Sequence, residues 1–203
     1  YTNSSGAYNT AVGQDAVSSN SSGSYNTGIG KAALQNSTTA HYNCAVGWEC
    51  LRDNTTGQYN TAIGGRSALQ SNTTASYNTA VGYNALLNNT TGYENAAVGE
   101  RALEACTEGA MNVAMGAETL RQVTEGDQNT ACGYAAGSNI TTGNYLTCIG
   151  YDAEPSSATA EHEVTLGDSN VTALRCQQTS ISSLSDERDK TDIVDLPVGL
   201  DFV

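Results

Sequence analysis

The sequence has few aromatic residues other than tyrosine, few basic residues and no long apolar segment. One Trp and one Phe stand beside 11 Tyr, and eight Lys and Arg stand beside 21 Asp and Glu, which gives a net charge of −13. An ordinary globular core of this length would contain more Leu, Ile and Phe. The lack of a basic stripe argues against nucleic-acid binding. The lack of a long apolar run argues against membrane insertion.

Residues suited to metal or cofactor sites are also scarce. His41 and His162 are the only histidines, and neither lies in a cluster with ligand spacing. The cysteines form no CxxC pair, and four of them take positions that other repeats fill with Thr, Ala or Val. We interpret them as small apolar residues in a reducing compartment, with a disulfide or metal framework as the alternative. We predict no cofactor and no metal. The six cysteines are Cys44, Cys50, Cys106, Cys132, Cys148 and Cys176.

The chain instead contains a repeat of about 17 residues. One glycine per repeat recurs at intervals of 17, with a single interval of 18 where Gly64 is followed by Gly65. The consensus, Y-N-T-A-V-G-x-x-A-L-x-x-N-T-T-G-x, is seen without change from Tyr77 to Tyr93. A fixed period of this length is typical of solenoid proteins. The aligned glycines are Gly13, Gly30, Gly47, Gly64, Gly82, Gly99, Gly116, Gly133 and Gly150.

The repeat predicts a parallel β-solenoid of nine coils. Tyr, Thr and Val favour strands, whereas Asn, Gly and the Thr-Thr-Gly sequence favour turns, and apolar residues at helical spacing are missing. Each coil should therefore contain a strand at Tyr-Asn-Thr-Ala-Val, a turn at Gly, a second short strand at Ala-Leu and a return turn. Strands from successive coils stack about 4.8 Å apart, so nine coils would span roughly 43 Å.

Strand alternation assigns a face to each position. Tyr77, Thr79 and Val81 should point one way and Asn78 and Ala80 the other. An inward row of asparagines could form hydrogen bonds from coil to coil. The next inward position stays small in every repeat, which predicts close approach of another backbone. The asparagine recurs at Asn9, Asn26, Asn43, Asn60, Asn78, Asn95, Asn112 and Asn129.

The apolar content of one coil predicts a homo-oligomer. Each coil offers only Val or Ile, Ala and one Leu, and each fully buried Val or Leu contributes about 1.5–3 kcal/mol. Ordering the backbone costs roughly 1–2 kcal/mol per residue. Because both strand faces carry apolar residues, packing of one chain against its copies would bury both. A solitary solenoid capped by other sequence is the alternative.

Two further patterns allow two interpretations each. Asn-x-Ser/Thr sequences recur in the return turn, where asparagine also suits turn geometry, and glycan attachment is the alternative. A row of tyrosines could bind sugars by stacking, or it could pack at a coil corner or subunit contact. The tyrosines are Tyr8, Tyr25, Tyr42, Tyr59, Tyr77 and, after a gap, Tyr145.

The Tyr-Asn-Thr-Ala-Val-Gly element resembles the repeat in the heads of trimeric autotransporter adhesins. The resemblance covers residues 1–151 and implies a left-handed parallel β-roll in which three chains wind side by side. The repeats here are longer because of the added Asn-Thr-Thr turn. The resemblance therefore supports an intertwined homotrimer.

The C-terminal region resembles a second family, the endosialidase-type intramolecular chaperones of phage tail fibres and tailspikes. The sequence from Ser185 to Ile193 is similar to the entry of that chaperone, and 195–202 resembles the start of its first helix. The resemblance implies that Ser185 is the nucleophile that cuts the Leu184–Ser185 bond and that Lys190 is its general base. Asp186 would orient the pair. A solvated acidic loop without chemistry is the alternative.

These observations predict a fibre segment of a virion. We expect a β-roll shaft at 1–151, a β-rich junction at 152–184 and the start of a chaperone domain at 185–203, in an all-β, homotrimeric fibre. The expected function is support of host attachment, with other tail proteins and a host glycan or receptor as partners. The expected place is the virion tail, assembled in host cytoplasm. Self-cleavage apart, no enzyme activity is expected, and this fragment should not cleave itself. A polysaccharide-binding or polysaccharide-degrading tailspike and a cell-surface adhesin head are the alternatives.

Overall fold

The computed structural model describes residues 3–175, and residues 3–170 form a parallel β-solenoid. Ten strands make one sheet in the order β1 to β10, and each strand pairs in parallel with the next. No helix occurs in the described residues. The predicted fold class is therefore confirmed. The strands are Thr10–Val12 (β1), Thr27–Ile29 (β2), Cys44–Trp48 (β3), Thr61–Arg66 (β4), Thr79–Val81 (β5), Ala96–Val98 (β6), Val113–Met115 (β7), Thr130–Cys132 (β8), Thr147–Ile149 (β9) and Val164–Leu166 (β10).

The register of the sheet follows the sequence repeat. Thr10 pairs with Thr27 and Ala11 with Gly28, so equivalent residues of successive repeats lie side by side. The register shifts once, between Val46 and Trp48 of β3, where the 18-residue repeat inserts Gly65 into β4. These two strands are also longer than their neighbours. The one insertion in the repeat therefore becomes a β-bulge.

The tenth strand extends the solenoid beyond the nine repeats predicted from the sequence. Gly167 follows Gly150 at the regular interval of 17 residues, but His162 and Glu163 occupy the positions of the consensus Tyr and Asn. The strand Val164–Leu166 still pairs with β9 in the same register. Part of the predicted junction at 152–184 thus continues the same sheet.

The repeated glycine turns the chain out of the strand. Gly13 has a φ of 125°, a left-handed value that residues with a Cβ rarely adopt. A Cβ at Gly13 would also lie 2.6 Å from the carbonyl oxygen of Gly30 in the next coil. Glycine is therefore needed both for the turn and for the close stacking of coils.

The predicted second strand at Ala-Leu is wrong, because this segment forms turns. Ala32 and Leu34 have φ values of 57° and 53°, whereas a strand needs negative φ throughout. The Leu34 amide still donates to the carbonyl of Cys50 in the next coil at 3.1 Å. A left-handed residue costs about 1–2 kcal/mol, and burial of the leucine side chain offsets this cost. Alternating φ signs therefore bend the wall while the coil-to-coil hydrogen bonds are kept.

The core lies between the strand and this bent wall. The inward alanines of the strands face a column of fully buried leucines, and apart from half-buried Ala11 neither set is accessible to solvent. A Cβ at Gly28 would lie 2.6 Å from Cγ2 of Val17 and 3.1 Å from the carbonyl oxygen of Ala33. The backbone that approaches the small position therefore belongs to the same solenoid. The leucines are Leu34, Leu51, Leu69, Leu86, Leu103 and Leu120.

The predicted inward asparagines bridge successive coils, and all of them except half-buried Asn9 are buried. The Asn60 Oδ1 accepts a hydrogen bond from the Asn78 amide at 3.0 Å, and the Asn60 Nδ2 donates to the carbonyl of Ala75 at 2.9 Å. The same pattern recurs along the solenoid. Most of these bonds join a side chain to backbone, so the asparagines satisfy buried backbone groups that the short strands leave unpaired.

Candidate functional site

The outer face of the sheet is the main exposed apolar surface. We define it as the residues at the Tyr, Thr and Val positions of the consensus, which point away from the core. Ile29, Ile63, Val98 and Met115 are between 39% and 52% exposed on this face. The side chains recur once per strand along all ten strands. An apolar patch of this length is unusual on a protein that stays monomeric.

Charge is excluded from the centre of this face. At the Thr and Val positions of the ten strands, no residue is charged, although the chain has a net charge of −13. The charged side chains lie mainly in the bent wall instead. There the Arg52 guanidinium bonds to both Asp53 oxygens, at 3.0 and 2.8 Å, and lies 3.5 Å from Glu49. The two sides of the coil therefore differ sharply in polarity.

The predicted tyrosine row is a continuous stack at the start of the strands. Ring centroids of successive tyrosines lie 4.9–5.1 Å apart, with interplanar angles of 3–14°. Within the stack, each ring covers the face of its neighbour, so flat sugar stacking is possible only on a terminal ring. The arrangement fits packing at a coil corner better than sugar binding. The stacked residues are Tyr8, Tyr25, Tyr42, Tyr59 and Tyr77.

Four charged residues of the bent wall form an ion-pair network that the sequence did not indicate. The Glu104 Oε2 accepts from Nε of Arg101 at 3.0 Å and from Nε of Arg121 at 3.2 Å. Arg121 also donates to Glu118 at 3.3 Å. Both glutamates of the network are therefore paired with guanidinium groups.

A second charged group, which we call the Trp48 cluster, consists of Lys31, Trp48 and Arg66. The Lys31 Nζ lies over the indole ring, 5.8 Å from its centroid, and the Arg66 guanidinium carbon lies 5.0 Å from it. Trp48 pairs with Arg66 across β3 and β4, next to the bulge. Trp48 is 43% exposed. No motif indicates this cluster, because its members are 17 and 18 residues apart in the sequence.

The recurring asparagines of the return turn are buried. Asn20, Asn54, Asn72 and Asn89 are inaccessible to solvent, and each donates to a backbone carbonyl three residues ahead at 2.9–3.0 Å. A buried amide cannot carry a glycan in the folded chain. The turn interpretation therefore fits these four positions, whereas Asn36 and Asn88 are exposed.

The described cysteines are all free thiols. Burial raises the pKa of Cys106 to about 12 and that of Cys148 to about 11. Cys132 lies on the outer face and is exposed. Within residues 3–175, no three His, Cys, Asp or Glu side chains are close enough together to hold a metal ion.

One carboxylate enters the inward column near its C-terminal end. Glu154 occupies the leucine position and accepts a hydrogen bond from the Ser138 hydroxyl at 2.7 Å. Partial burial raises the pKa of Glu154 above its usual value, although the hydrogen bonds from Ser138 and Asn139 oppose this shift. The substitution therefore places a weakly desolvated acid where other coils have leucine.

The predicted cleavage residues lie outside the described part of the chain. Ser185, Asp186 and Lys190 all fall beyond residue 175, as does Cys176. In the part that is described, no helix is long and apolar enough to cross a membrane. No protein-family model matches the chain, no curated protein matches it, and no solved structure matches it.

Proposed function

We propose that this chain is a shaft segment of a homotrimeric fibre, of the kind that phage tails use for host attachment. The observation that supports the proposal most strongly is the uncharged centre of the outer face, formed by the Thr and Val positions of the ten strands. Its Val, Ile and Met side chains remain substantially exposed on an isolated solenoid. Removing such side chains from water would stabilise an assembly of several chains.

The repetition of this face favours side-by-side packing of identical chains. A half-exposed Val or Ile gains roughly 1 kcal/mol on full burial, whereas association costs about 4–15 kcal/mol. One coil therefore cannot hold a partner, but ten coils in register gain a comparable amount. The acidic residues of the bent wall lie away from the outer face, which limits repulsion between chains of the same charge.

The number of chains and the role in attachment rest on the two resemblances in the sequence. Trimeric adhesin heads use repeats similar to Tyr-Asn-Thr-Ala-Val-Gly, and phage fibre chaperones trimerise the protein to which they are attached. A fibre shaft needs length, solubility and regular stacking, and the charged wall supports solubility. In this role, the chain holds and extends an attachment tip and has no catalytic activity of its own.

Native mass spectrometry of the wild-type chain and of Ile63→Glu tests the assembly. A charge at the centre of the outer face should convert trimers to monomers and leave the circular dichroism of the solenoid unchanged. Thr56→Glu is the matched control, since Glu108 and Glu125 already occupy the equivalent exposed position in later coils. A wild-type chain that stays monomeric at micromolar concentration would contradict the trimeric fibre.

The proposed self-cleavage needs its own measurement. The Ser185 Oγ would attack the Leu184 carbonyl carbon while Lys190 accepts the serine proton and returns it to the leaving Ser185 amine as the peptide C–N bond breaks. Water would then hydrolyse the resulting Leu184 ester, and Asp186 would orient the pair. In a chain that includes the whole chaperone, the denatured mass should correspond to a polypeptide ending at Leu184. Ser185→Ala should give the uncut mass and still form trimers. Cleavage that persists in Ser185→Ala would exclude this serine as the nucleophile.

A further inference from the structure

The Trp48 cluster contains two cations that have no acidic partner among the described residues. Arg52, Arg101 and Arg121 all pair with carboxylates at 4.0 Å or less. Lys31 and Arg66 are exposed and contact the indole instead. On a chain with a net charge of −13, two neighbouring unpaired cations are an exception. Unpaired cations at one place on an acidic surface are typical of an anion-binding site.

The indole holds the two cations in place. Lys31 belongs to the coil before Trp48 and Arg66 to the coil after it, and both lie over the ring. Cation–π contact restricts two long side chains that would otherwise move freely in solvent. Trp48 is therefore a positioning residue, and a ligand that binds both cations loses less side-chain freedom on binding.

The cluster also coincides with the one irregularity of the sheet. The register shift lies between Val46 and Trp48, and the inserted Gly65 directly precedes Arg66. A Cβ placed at Gly65 would have no atom within 4 Å, so open space adjoins the Arg66 backbone. Bulges are frequent beside binding sites because they redirect side chains.

The spacing of the cations selects the type of anion. Lys31 and Arg66 lie two coils apart, which corresponds to roughly 10 Å between their backbones at the strand spacing of about 4.8 Å. A densely charged polymer such as DNA would be repelled by the rest of this acidic chain. A sugar chain with an acidic group on every second residue carries few charges, and the distance between them is comparable to the distance between the two cations.

We propose that the Trp48 cluster binds an anionic saccharide, a sugar chain bearing widely spaced carboxylate or sulfate groups. Arg66 offers a planar fork to an oxyanion, Lys31 offers a point charge, and Trp48 keeps them apart. This inference rests on the proposed attachment function only for its biological meaning, since the site is complete within one chain.

The single tryptophan of the chain makes the site directly observable. Indole fluorescence would be followed while three oligosaccharides of equal length are added: one of hyaluronan, with one carboxylate per disaccharide, one of κ-carrageenan, with one sulfate per disaccharide, and a neutral malto-oligosaccharide. An acidic probe should change the signal at low salt, and added salt should weaken its binding. The carboxylated and sulfated probes distinguish the two sources of charge. The neutral probe should give no change.

Substitutions identify the contributing side chains. Lys31→Gln and Arg66→Gln should each weaken binding about tenfold, as expected for loss of one charge-assisted hydrogen bond. Arg121→Gln removes the same charge from a paired arginine and should leave the affinity unchanged. By calorimetry, Trp48→Leu should weaken binding, and Trp48→Phe should restore most of it because a cation-binding ring is regained.

Native masses recorded on the same variants separate this inference from the fibre proposal. Loss of saccharide binding with an unchanged oligomer would support the site. An unchanged indole signal with both acidic probes would overturn it, whatever the oligomeric state. If Arg66→Gln dissociates the oligomer without affecting saccharide binding, the cluster is a contact between chains, which also overturns the inference.

Discussion

The two faces of each strand follow different rules, although their residues alternate along the same few positions. Inward residues such as Asn78 and Ala80 are inaccessible to solvent and form bonds or contacts within the chain. Outward residues such as Thr79 are exposed and vary among Thr, Cys, Ala and Val along the sheet. The inward face is restricted by steric fit and hydrogen bonding. At the Thr and Val positions, the outward face is restricted only by the absence of charge, which is the restriction that a partner surface would impose.

Thiol reactivity gives the largest expected contrast between the faces. Since burial raises the pKa of Cys106 from 9.0 to about 12, its thiolate fraction should be on the order of a thousandfold lower than that of an ordinary thiol. Alkylation of the monomeric Ile63→Glu chain in mildly alkaline buffer, followed by peptide mass spectrometry, should modify exposed Cys132 before buried Cys106. In denaturant, Cys106 and Cys132 should react alike. Equal rates in the folded chain would contradict the assigned faces.

Substitutions at the adjacent residues Asn78 and Thr79 compare how much each face contributes to the free energy of unfolding. Asn78→Ala leaves the Asn95 amide and the Gly92 carbonyl without their bonds of 3.0 and 2.9 Å. Each buried unpaired group costs about 1–3 kcal/mol, so unfolding should become easier by about 3 kcal/mol. Thr79→Ala should change stability by less than about 0.5 kcal/mol. Chemical denaturation measures both, and similar losses would contradict the inward role of Asn78.

Ser37 offers a test in the stabilising direction. It replaces asparagine in the inward row of the return turn, and among the described residues both Ser37 Oγ and Asn20 Oδ1 are buried without a hydrogen-bond partner. Ser37→Asn would supply a donor to Asn20, as Asn72 does to Asn54 at 2.8 Å. We expect a gain of about 1 kcal/mol in the free energy of unfolding. Asn36→Gln at the exposed neighbouring position serves as the control and should have little effect.

Substitution of Glu154 should give the smallest change in stability, and this change should depend on pH. Its pKa is higher in the folded chain than its usual value, so the stability linked to its protonated form is lost as pH rises through the folded pKa. Glu154→Gln should therefore raise the melting temperature at neutral pH while keeping an acceptor for Ser138. This gain should disappear in a buffer more acidic than the usual carboxyl pKa. A gain that does not change with pH would assign the effect to packing instead.

The solenoid could be predicted from the sequence because every coil repeats the same pattern of strand-forming and turn-forming residues. A turn at the repeated glycine, asparagine on the inward side and a small inward residue in the strand were all predicted from the repeat and are confirmed by Gly13, Asn60 and Ala80. The predicted strand was two residues too long, because the tyrosine position has a positive φ, 63° at Tyr77. The Ala-Leu segment was misjudged because its composition suits a strand. Its alternating φ values depend on closure of the coil, which local propensity does not report.

The candidate sites were less predictable. Neither the Trp48 cluster nor the network of Arg101, Glu104, Glu118 and Arg121 shows as a motif, because residues a whole coil apart become neighbours only when the coils stack. The charge-free centre of the outer face could be read from the aligned repeats once the strand faces were known. The cleavage residues Ser185, Asp186 and Lys190 remain a prediction from resemblance.

The sequence by itself determined the period, the Thr-Ala-Val part of the strand and the direction in which its residues point, because these follow from local geometry repeated at fixed intervals. Only the tertiary structure decided how the second wall bends, that a tenth strand joins the sheet and which charged side chains meet. Those outcomes depend on contacts between coils, where a shift of one residue, such as the insertion of Gly65, changes which side chains become neighbours.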